Sequence, residues 1–297
     1  MGLSRAGLKF AFASWRVRLQ SKRHLSAMVR VRNEEEFLFA AVSSVADHVS
    51  EIIIIDNLSQ DGTPDVIAAL QNEYPAKITV HTYPFAVRKV GREHWDLASQ
   101  PTRRPSPHLS STYYNWSLQR CRHPFILKWD GDMIARPEFE SALEEWRASP
   151  RPVLVFSGQN VHPDRRHLVR PRVTDRAELL ARLSVPGLPM WVTTLTEDAK
   201  EPRLFPRFGA HYDDAIRWTQ RLASPFEHRD VRQRARITAR SPYFLHMKFC
   251  KRDALANYSD DLRAVIADNI AEGDPLDPGA LAVLREHGVA SARLLPG

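Results

Sequence analysis

Two carboxylates one residue apart, Asp130 and Asp132, close the run Lys128-Trp129-Asp130-Gly131-Asp132. The residues leading into them, Pro124 to Trp129 with Phe125-Ile126-Leu127 at the centre, read as a buried strand. In an open α/β sheet, ligands sit beyond the carboxyl ends of the strands, so acids delivered there face a ligand. Carboxylate oxygens are hard donors suited to Mg²⁺ or Mn²⁺, and such an ion can hold phosphate oxygens at the same time. A nucleotide diphosphate would be gripped this way, although a polar turn after a core strand can carry the same short motif.

Two more apolar runs end in polar groups. Val31 leads into Arg32-Asn33-Glu34, and the four isoleucines Ile52 to Ile55 lead into Asp56-Asn57-Leu58-Ser59-Gln60-Asp61-Gly62-Thr63. In a parallel sheet these tips share an edge with Asp130 and Asp132. A carboxylate that follows four isoleucines needs a partner, and Asp56 can accept a hydrogen bond from a base N–H. Asp61-Gly62-Thr63 turns into a helix whose free N–H groups can face an anion or be capped by the same residues.

The elements that position these groups follow an alternating order. Leu25 to Val31 is an apolar strand; Glu34 to Ala46 is a helix with Phe37, Leu38, Ala41, Val42 and Val45 on one face. Ile52 to Ile55 is a strand covered on both sides. Thr63 to Asn72 is a helix with Pro64 in its first turn, and Ile78 to His81 is a third strand. Strand, helix, strand, helix, strand begins a parallel sheet with right-handed crossovers. From Tyr83 to Ser110 the pattern gives way to a long loop with Pro84, Pro101, Pro105 and Pro107, the length of a functional loop. Its Arg88, Lys89, Arg92, Glu93 and His94 suit either a lid over a ligand or a solvated surface. Helices are expected over 111–120, 138–146, 177–183 and 213–222, and strands over 153–157 and 243–249, with a helical, peripheral tail after Tyr258.

Taken together, Val31-Arg32-Asn33-Glu34-Glu35, the run from Glu51 to Thr63, Asn115 and Asp130-Gly131-Asp132 resemble the family 2 glycosyltransferases with the GT-A fold, of the bacterial surface-polysaccharide type. The resemblance covers about residues 26–137; the second half aligns loosely. It implies an α/β fold with a Rossmann-like, mostly parallel sheet flanked by helices and an irregular acceptor half. Residues 1–24 would be a basic amphipathic segment, 25–255 the glycosyltransferase domain (donor half about 25–137, acceptor half about 138–255) and 256–297 a helical tail. It also implies transfer of a sugar from a nucleotide-diphospho-sugar donor, usually UDP-linked, to a saccharide or lipid-linked acceptor, with inversion. Asp56 would bind the base, bordered by Asn33 and Glu34, with Asn57, Ser59 and Asp61 in the same loop. Asp130 would lie near ribose or metal, and Asp132 would be the principal ligand of Mn²⁺ or Mg²⁺. Lys128 would assist unless strand alternation turns it away.

Inverting transfer needs a base for the acceptor hydroxyl. Asp214, before the helix Ala215 to Leu222, is favoured over Asp198 in Thr194-Leu-Thr-Glu-Asp-Ala, although Asp213 and Asp214 also suit a helix N-terminus. His246 stands late in a strand pattern, where some GT-A enzymes complete the metal shell. A neutral imidazole suits Mn²⁺ better than Mg²⁺. Lys248, two residues on, would share its strand face and approach the diphosphate.

Composition narrows the alternatives. A chain of 297 residues with 43% apolar content can build one sizeable core. Of its 42 basic residues, Arg5, Lys9, Arg16, Arg18, Lys22 and Arg23 precede Leu25, leaving 36 against 35 acidic ones. That balance gives no support for a nucleic-acid-binding face. Leu8, Phe12, Trp15 and Leu19 fall on one side of a helix, so residues 1–24 suit an anionic membrane surface or packing on the domain. No apolar run approaches the ~20 residues of a membrane span. A signal peptide is not evident, and a cytoplasmic protein is expected, with peripheral contact at the inner face of the plasma membrane as the membrane-binding alternative for residues 1–24. Cys121 and Cys250 form no metal-spaced cluster. The competing classes are a sugar nucleotidyltransferase, whose glycine-rich basic loop is replaced here by Arg32-Asn33-Glu34-Glu35-Glu36, and a non-catalytic glycan- or membrane-binding protein of the same fold.

Overall fold

A computed structural model describes residues 22, 24–89, 92–98, 106–173, 178, 201–207, 210, 236–238, 242–256, 258 and 260–290. A seven-stranded sheet organises them. Its strands are β1 (Leu25–Val31), β2 (Glu51–Asp56), β3 (Ile78–Thr82), β4 (Phe125–Asp130), β6 (Val153–Phe156), β9 (Glu201–Pro206) and β10 (Arg236–Thr238), in the order β10-β6-β9-β4-β1-β2-β3. β1 pairs in parallel with β2 and β4, and β2 with β3. β9 runs antiparallel between β4 and β6, and β10 is parallel to β6. The expected mostly parallel α/β sheet is present.

Alternation explains the burial. Ile52 and Ile54 join the core under helices α1 (Leu38–Ala46), α2 (Thr63–Glu73) and α5 (Glu138–Ala148), together with Leu127, Trp129, Phe139 and Trp146. Ile53 and Ile55 point to the opposite core, with Tyr83, Ile126 and Tyr113 of α4 (Ser110–Leu118). A central strand covered on both faces has no polar position to spare, hence the unbroken isoleucines. The long loop expected after Tyr83 contains a short helix, α3 (Arg92–Ala98).

Two smaller sheets attach to this frame. β5 (Met133–Ala135), β11 (Phe244–His246) and β7 (Gln159–Asn160) form a three-stranded sheet in the order β5-β11-β7. β8 (His167–Pro171) pairs antiparallel with β12 (Ile270–Pro275). The tail expected to be helical and peripheral therefore contributes a strand. It also contributes α6 (Asp260–Asn269) and α7 (Pro278–Glu286). Ala280, Val283 and Leu284 of α7 are buried with Phe37, Ile134, Leu245 and Met247, because the apolar face of α7 covers the small sheet.

Of the basic leader, Lys22 is described, and it does not face outward. Its ammonium donates to the carbonyl oxygens of Trp146 (2.6 Å), Ser149 (2.5 Å) and Arg151 (2.7 Å), at the end of α5. The apolar stripe of residues 8–19 and the helices expected at 177–183 and 213–222 fall outside the described residues, Glu178 excepted. No described helix is long and apolar enough to cross a membrane.

Candidate active site

The register of the sheet brings the sequence-predicted acids to one edge. Val31 is opposite Asp56 and Arg30 is opposite Asp130, in strands that all run the same way. Asp56 at the carboxyl end of β2, and Asp130 with the turn holding Asp132 at the carboxyl end of β4, therefore lie on one edge of the sheet, on either side of the tip of β1.

The first part of the site is a pair of interlaced loops. Asp56 Oδ1 accepts from the Ser59 hydroxyl (2.6 Å) and backbone N–H (3.2 Å), which folds the loop back on the strand tip. Asn33, at φ 57°, donates its backbone N–H to Ser59 Oγ (2.9 Å), and its Oδ1 accepts from the Gln60 N–H (2.9 Å). Asp61 accepts from Thr63 and from the Glu35 N–H (3.1 Å), and Glu35 returns a bond from the Gly62 N–H (2.7 Å). Asn57 is buried and grips the next loop: its amide donates to Phe85 O (2.8 Å), and its Oδ1 accepts from the Val87 N–H (3.1 Å). Asn33, Asn57, Ser59 and Asp61 thus hold the loops in shape around Asp56.

The second part is a charged layer around the two aspartates. Arg30 Nη2 lies 2.7 Å from Asp130 Oδ1, and Arg203 Nη1 lies 3.5 Å from Oδ2. The Arg30 guanidinium also stacks on Tyr114, 3.4 Å from the ring centre. Burial alone would raise the Asp130 carboxyl, but Arg30, Lys128 and Arg203 outweigh it and hold it down at about 2. Lys128 is buried on the Ile126–Asp130 side of β4, so alternation sets it on the face of Asp130.

Asp132 sits in a different environment. Gly131 lets the turn pass: a Cβ there would stand 3.0 Å from Glu34 Cγ and Val31 Cγ1. The Asp132 carbonyl accepts the Met247 N–H (2.8 Å), and Met133 pairs with His246 across the small sheet. That pairing puts His246 Nε2 3.2 Å from Asp132 Oδ1. Asp132 Oδ2 lies 2.6 Å from the Lys251 ammonium, which also reaches Glu34 Oε1 at 2.7 Å. Burial would push Asp132 up, yet Lys251 and His246 hold it well below the usual carboxylate range. Glu34 goes the other way: burial and the nearby Asp132 raise its carboxyl to about 8 in spite of Lys251. Its Oε2 is buried without a hydrogen-bond partner.

Two ligands at ~2.1–2.2 Å and right angles on one octahedral ion stand about 3.0 Å apart. The 3.2 Å separation of Asp132 Oδ1 and His246 Nε2 matches that spacing, so this pair fits a divalent cation with several positions left for phosphate oxygens and water. Asp130, occupied by two guanidinium groups, does not approach this pair in the same way.

The sequence points to Lys248 as the cation near the diphosphate. β11 ends at His246, however, so strand alternation does not carry to Lys248, whose ammonium lies over the Phe249 ring (5.0 Å). Lys251, in the turn beyond, is the lysine whose ammonium reaches Asp132. Arg30, Arg203 and Lys251 are site residues that sequence reasoning misses. Arg30 leaves a signal, a basic residue one step before a buried strand tip; Lys251 and Arg203 reach the site only through tertiary folding. Asp198 and Asp214 lie outside the described residues.

A mostly parallel sheet with one antiparallel strand, carrying acids at the tips of β2 and β4 on either side of β1, makes this an α/β fold with its candidate site at the carboxyl edge of the sheet. Residues 26–88, from β1 through the loop after β3, match the family model described as Glycosyl transferase family 2. No curated protein matches the chain significantly. Among solved structures, similarity extends to glucosyl-3-phosphoglycerate synthase from Mycobacterium tuberculosis, crystallised with Mn²⁺, uridine diphosphate and phosphoglyceric acid. That match has 17% identity, 70% of this chain and 61% of that one covered, and a TM-score of 0.34. S. aureus TarS residues 1–349 with UDP matches at 12% identity, with 82% and 70% covered and a TM-score of 0.40. A mycobacterial protein matches at 18%, with 70% and 58% covered and a TM-score of 0.35. The chain thus spans about three-fifths of the two mycobacterial structures.

Proposed function

We propose that this chain is a divalent-cation-dependent glycosyltransferase. It moves a sugar from a nucleotide-diphospho-sugar, UDP-linked by preference, to a hydroxyl of a saccharide or lipid-linked acceptor, with inversion. The observation that carries the reading is the Asp132–His246 pair, spaced for one cation on the same sheet edge as Asp56.

In this reading Asp132 and His246 hold Mn²⁺ or Mg²⁺, which when bound neutralises charge on the departing diphosphate. Lys251 stands on the other oxygen of Asp132 and adds a fixed positive charge at the same place. Asp56 accepts the base N–H, in a loop fixed by Asn33, Asn57, Ser59 and Asp61. Asp130, kept anionic by Arg30 and Arg203, accepts from a ribose hydroxyl. Glu34 orients Lys251, and Lys128 serves the donor side through its charge. The acceptor hydroxyl gives its proton to a carboxylate, Asp214 ahead of Asp198. Its oxygen bonds to the anomeric carbon as the bond from that carbon to the diphosphate oxygen breaks. Residues 1–24, apart from Lys22, supply contact with an anionic membrane at the cytoplasmic face.

The test is turnover of a panel of nucleotide-sugars with Mn²⁺. Release of UDP is expected with one donor, and Asp132→Asn and His246→Ala are each expected to lower it at least ~100-fold, the scale of losing charge stabilisation at the reacting centre. UDP with Mn²⁺, but not UDP alone, is expected to raise the melting temperature of the native chain. Turnover unchanged in both variants would refute the assignment.

A further inference from the structure

A second group of metal-type ligands lies away from the strand tips. His162, Asp164 and Glu272 bring one ligand atom each within 4.8 Å of one another, and among the described residues this is the group of three such side chains so gathered. His162 and Asp164 come from the turn between β7 and β8. Glu272 comes from β12, at the point where its pairing with β8 shifts register between Glu272 and Pro275. Gly273 permits that close passage, since a Cβ there would meet the Leu168 carbonyl oxygen at 2.9 Å.

The polar contacts of the group leave room for a cation. Asp164 Oδ1 accepts the N–H groups of Arg166 (2.8 Å) and His167 (3.1 Å), and Oδ2 lies 2.6 Å from His167 Nδ1. That imidazole fixes the carboxylate as an outer partner fixes a metal ligand, and leaves Oδ2 a lone pair. His162 Nδ1 lies 3.4 Å from the Asp164 N–H, as an acceptor, while also facing Asp164 Oδ1 at 3.2 Å. With the proton on Nδ1 the imidazole donates to Asp164 Oδ1 and helps to hold that carboxyl low; a cation bound here would take that proton's place between the two. Among the described residues no lysine or arginine forms an ion pair with Asp164 or Glu272.

We infer that His162, Asp164 and Glu272 form a binding site for a divalent transition-metal cation of the zinc type. One imidazole and two carboxylates suit Zn²⁺, which takes three protein ligands at ~2.0–2.2 Å and water in the fourth position. Ligands of a tetrahedral ion stand about 3.4 Å apart, and the exposed Glu272 side chain can rotate to close the remaining gap. The site ties β12 to the β7–β8 turn. That turn begins one residue after Val161, whose N–H donates to the His246 carbonyl (3.0 Å).

The experiment is calorimetric titration of chelator-treated full chain with ZnCl₂, alongside Glu272→Gln, His162→Gln and, as a control on the other cluster, Asp132→Asn. One equivalent of Zn²⁺, over and above any taken up at Asp132–His246, is expected to bind the native chain and Asp132→Asn alike, with the affinity of that equivalent falling at least tenfold in Glu272→Gln and in His162→Gln. Glu272 is exposed, so its variant keeps the fold, which the melting curve without metal verifies. Absence of Zn²⁺ binding, or binding lost in Asp132→Asn and unchanged in the other two, overturns the site.

Discussion

Lys251 holds two carboxylates at once, with Asp132 Oδ2 at 2.6 Å and Glu34 Oε1 at 2.7 Å, and none of the three side chains is more than 13% exposed. Removing the ammonium leaves two acids facing each other in a dry site. Lys251→Met is therefore expected to cost about 3–5 kcal/mol, the range for breaking a buried pair from one side. Glu34→Gln should cost less, within about 2 kcal/mol, since burial raises the Glu34 carboxyl and an amide oxygen still accepts from Lys251. Urea unfolding midpoints of the two variants decide this. Asp130 gives a pH test. Its folded carboxyl, held at about 2, titrates below its unfolded range, so its stabilisation is complete above about pH 4 and is lost as the pH falls through 2. The stability gap between the native chain and Asp130→Asn should be about 2 kcal/mol at neutral pH and close by pH 2. The acids are legible in the sequence because a carboxylate straight after an apolar strand needs a partner that the strand cannot supply. Their counter-charges are not: Lys251 lies 217 positions from Glu34, and no local pattern marks it.

At the scale of elements, strands and helices long enough to show a period are readable, and shorter or contradictory ones are not. The strand over 25–31 and the isoleucine strand with its neighbours announce themselves by burial on both faces. β5, β7 and β11 have two or three residues each, too few for alternation to register, yet they set the Asp132–His246 spacing. β9 gives no strand signal for another reason: Pro202 and Pro206 argue against an interior strand, but they fall near its ends, opposite Val155 and Phe125. The leader also carries a double signal. Lys22 reads as one of six surface charges, but it closes the last carbonyls of α5, where a cation also meets the negative end of the helix dipole. Lys22→Met is expected to lower stability by about 1–2 kcal/mol and to leave turnover of bound donor unchanged, because α5 ends at the opposite edge of the sheet from the strand tips. Thermal melting together with the nucleotide-sugar assay checks both halves of that statement.

Across the whole molecule, the apolar clusters differ in what they support. The two central cores fix the strand tips and so the positions of Asp56 and Asp130. A third cluster joins α7 to Leu245 and Met247, the residues on either side of His246. A fourth gathers α6 with Val169 and Phe249, beside the β8–β12 pair. Leu284 of α7 and Leu262 of α6 are each fully buried, so truncation of either to alanine should cost about 2–5 kcal/mol. Their effects on the site should part. Leu284→Ala loosens the packing behind β11, so the melting-temperature gain from UDP with Mn²⁺ should shrink by at least half. Leu262→Ala should lower the starting melting temperature but keep that gain. The C-terminal helix would then be part of the apparatus that aims His246 at Asp132, held at its base by Arg136 on Asp277 (2.9 Å). Equal gains in the two variants would mean that β5 and β7 hold His246 in place without help from the helix above them.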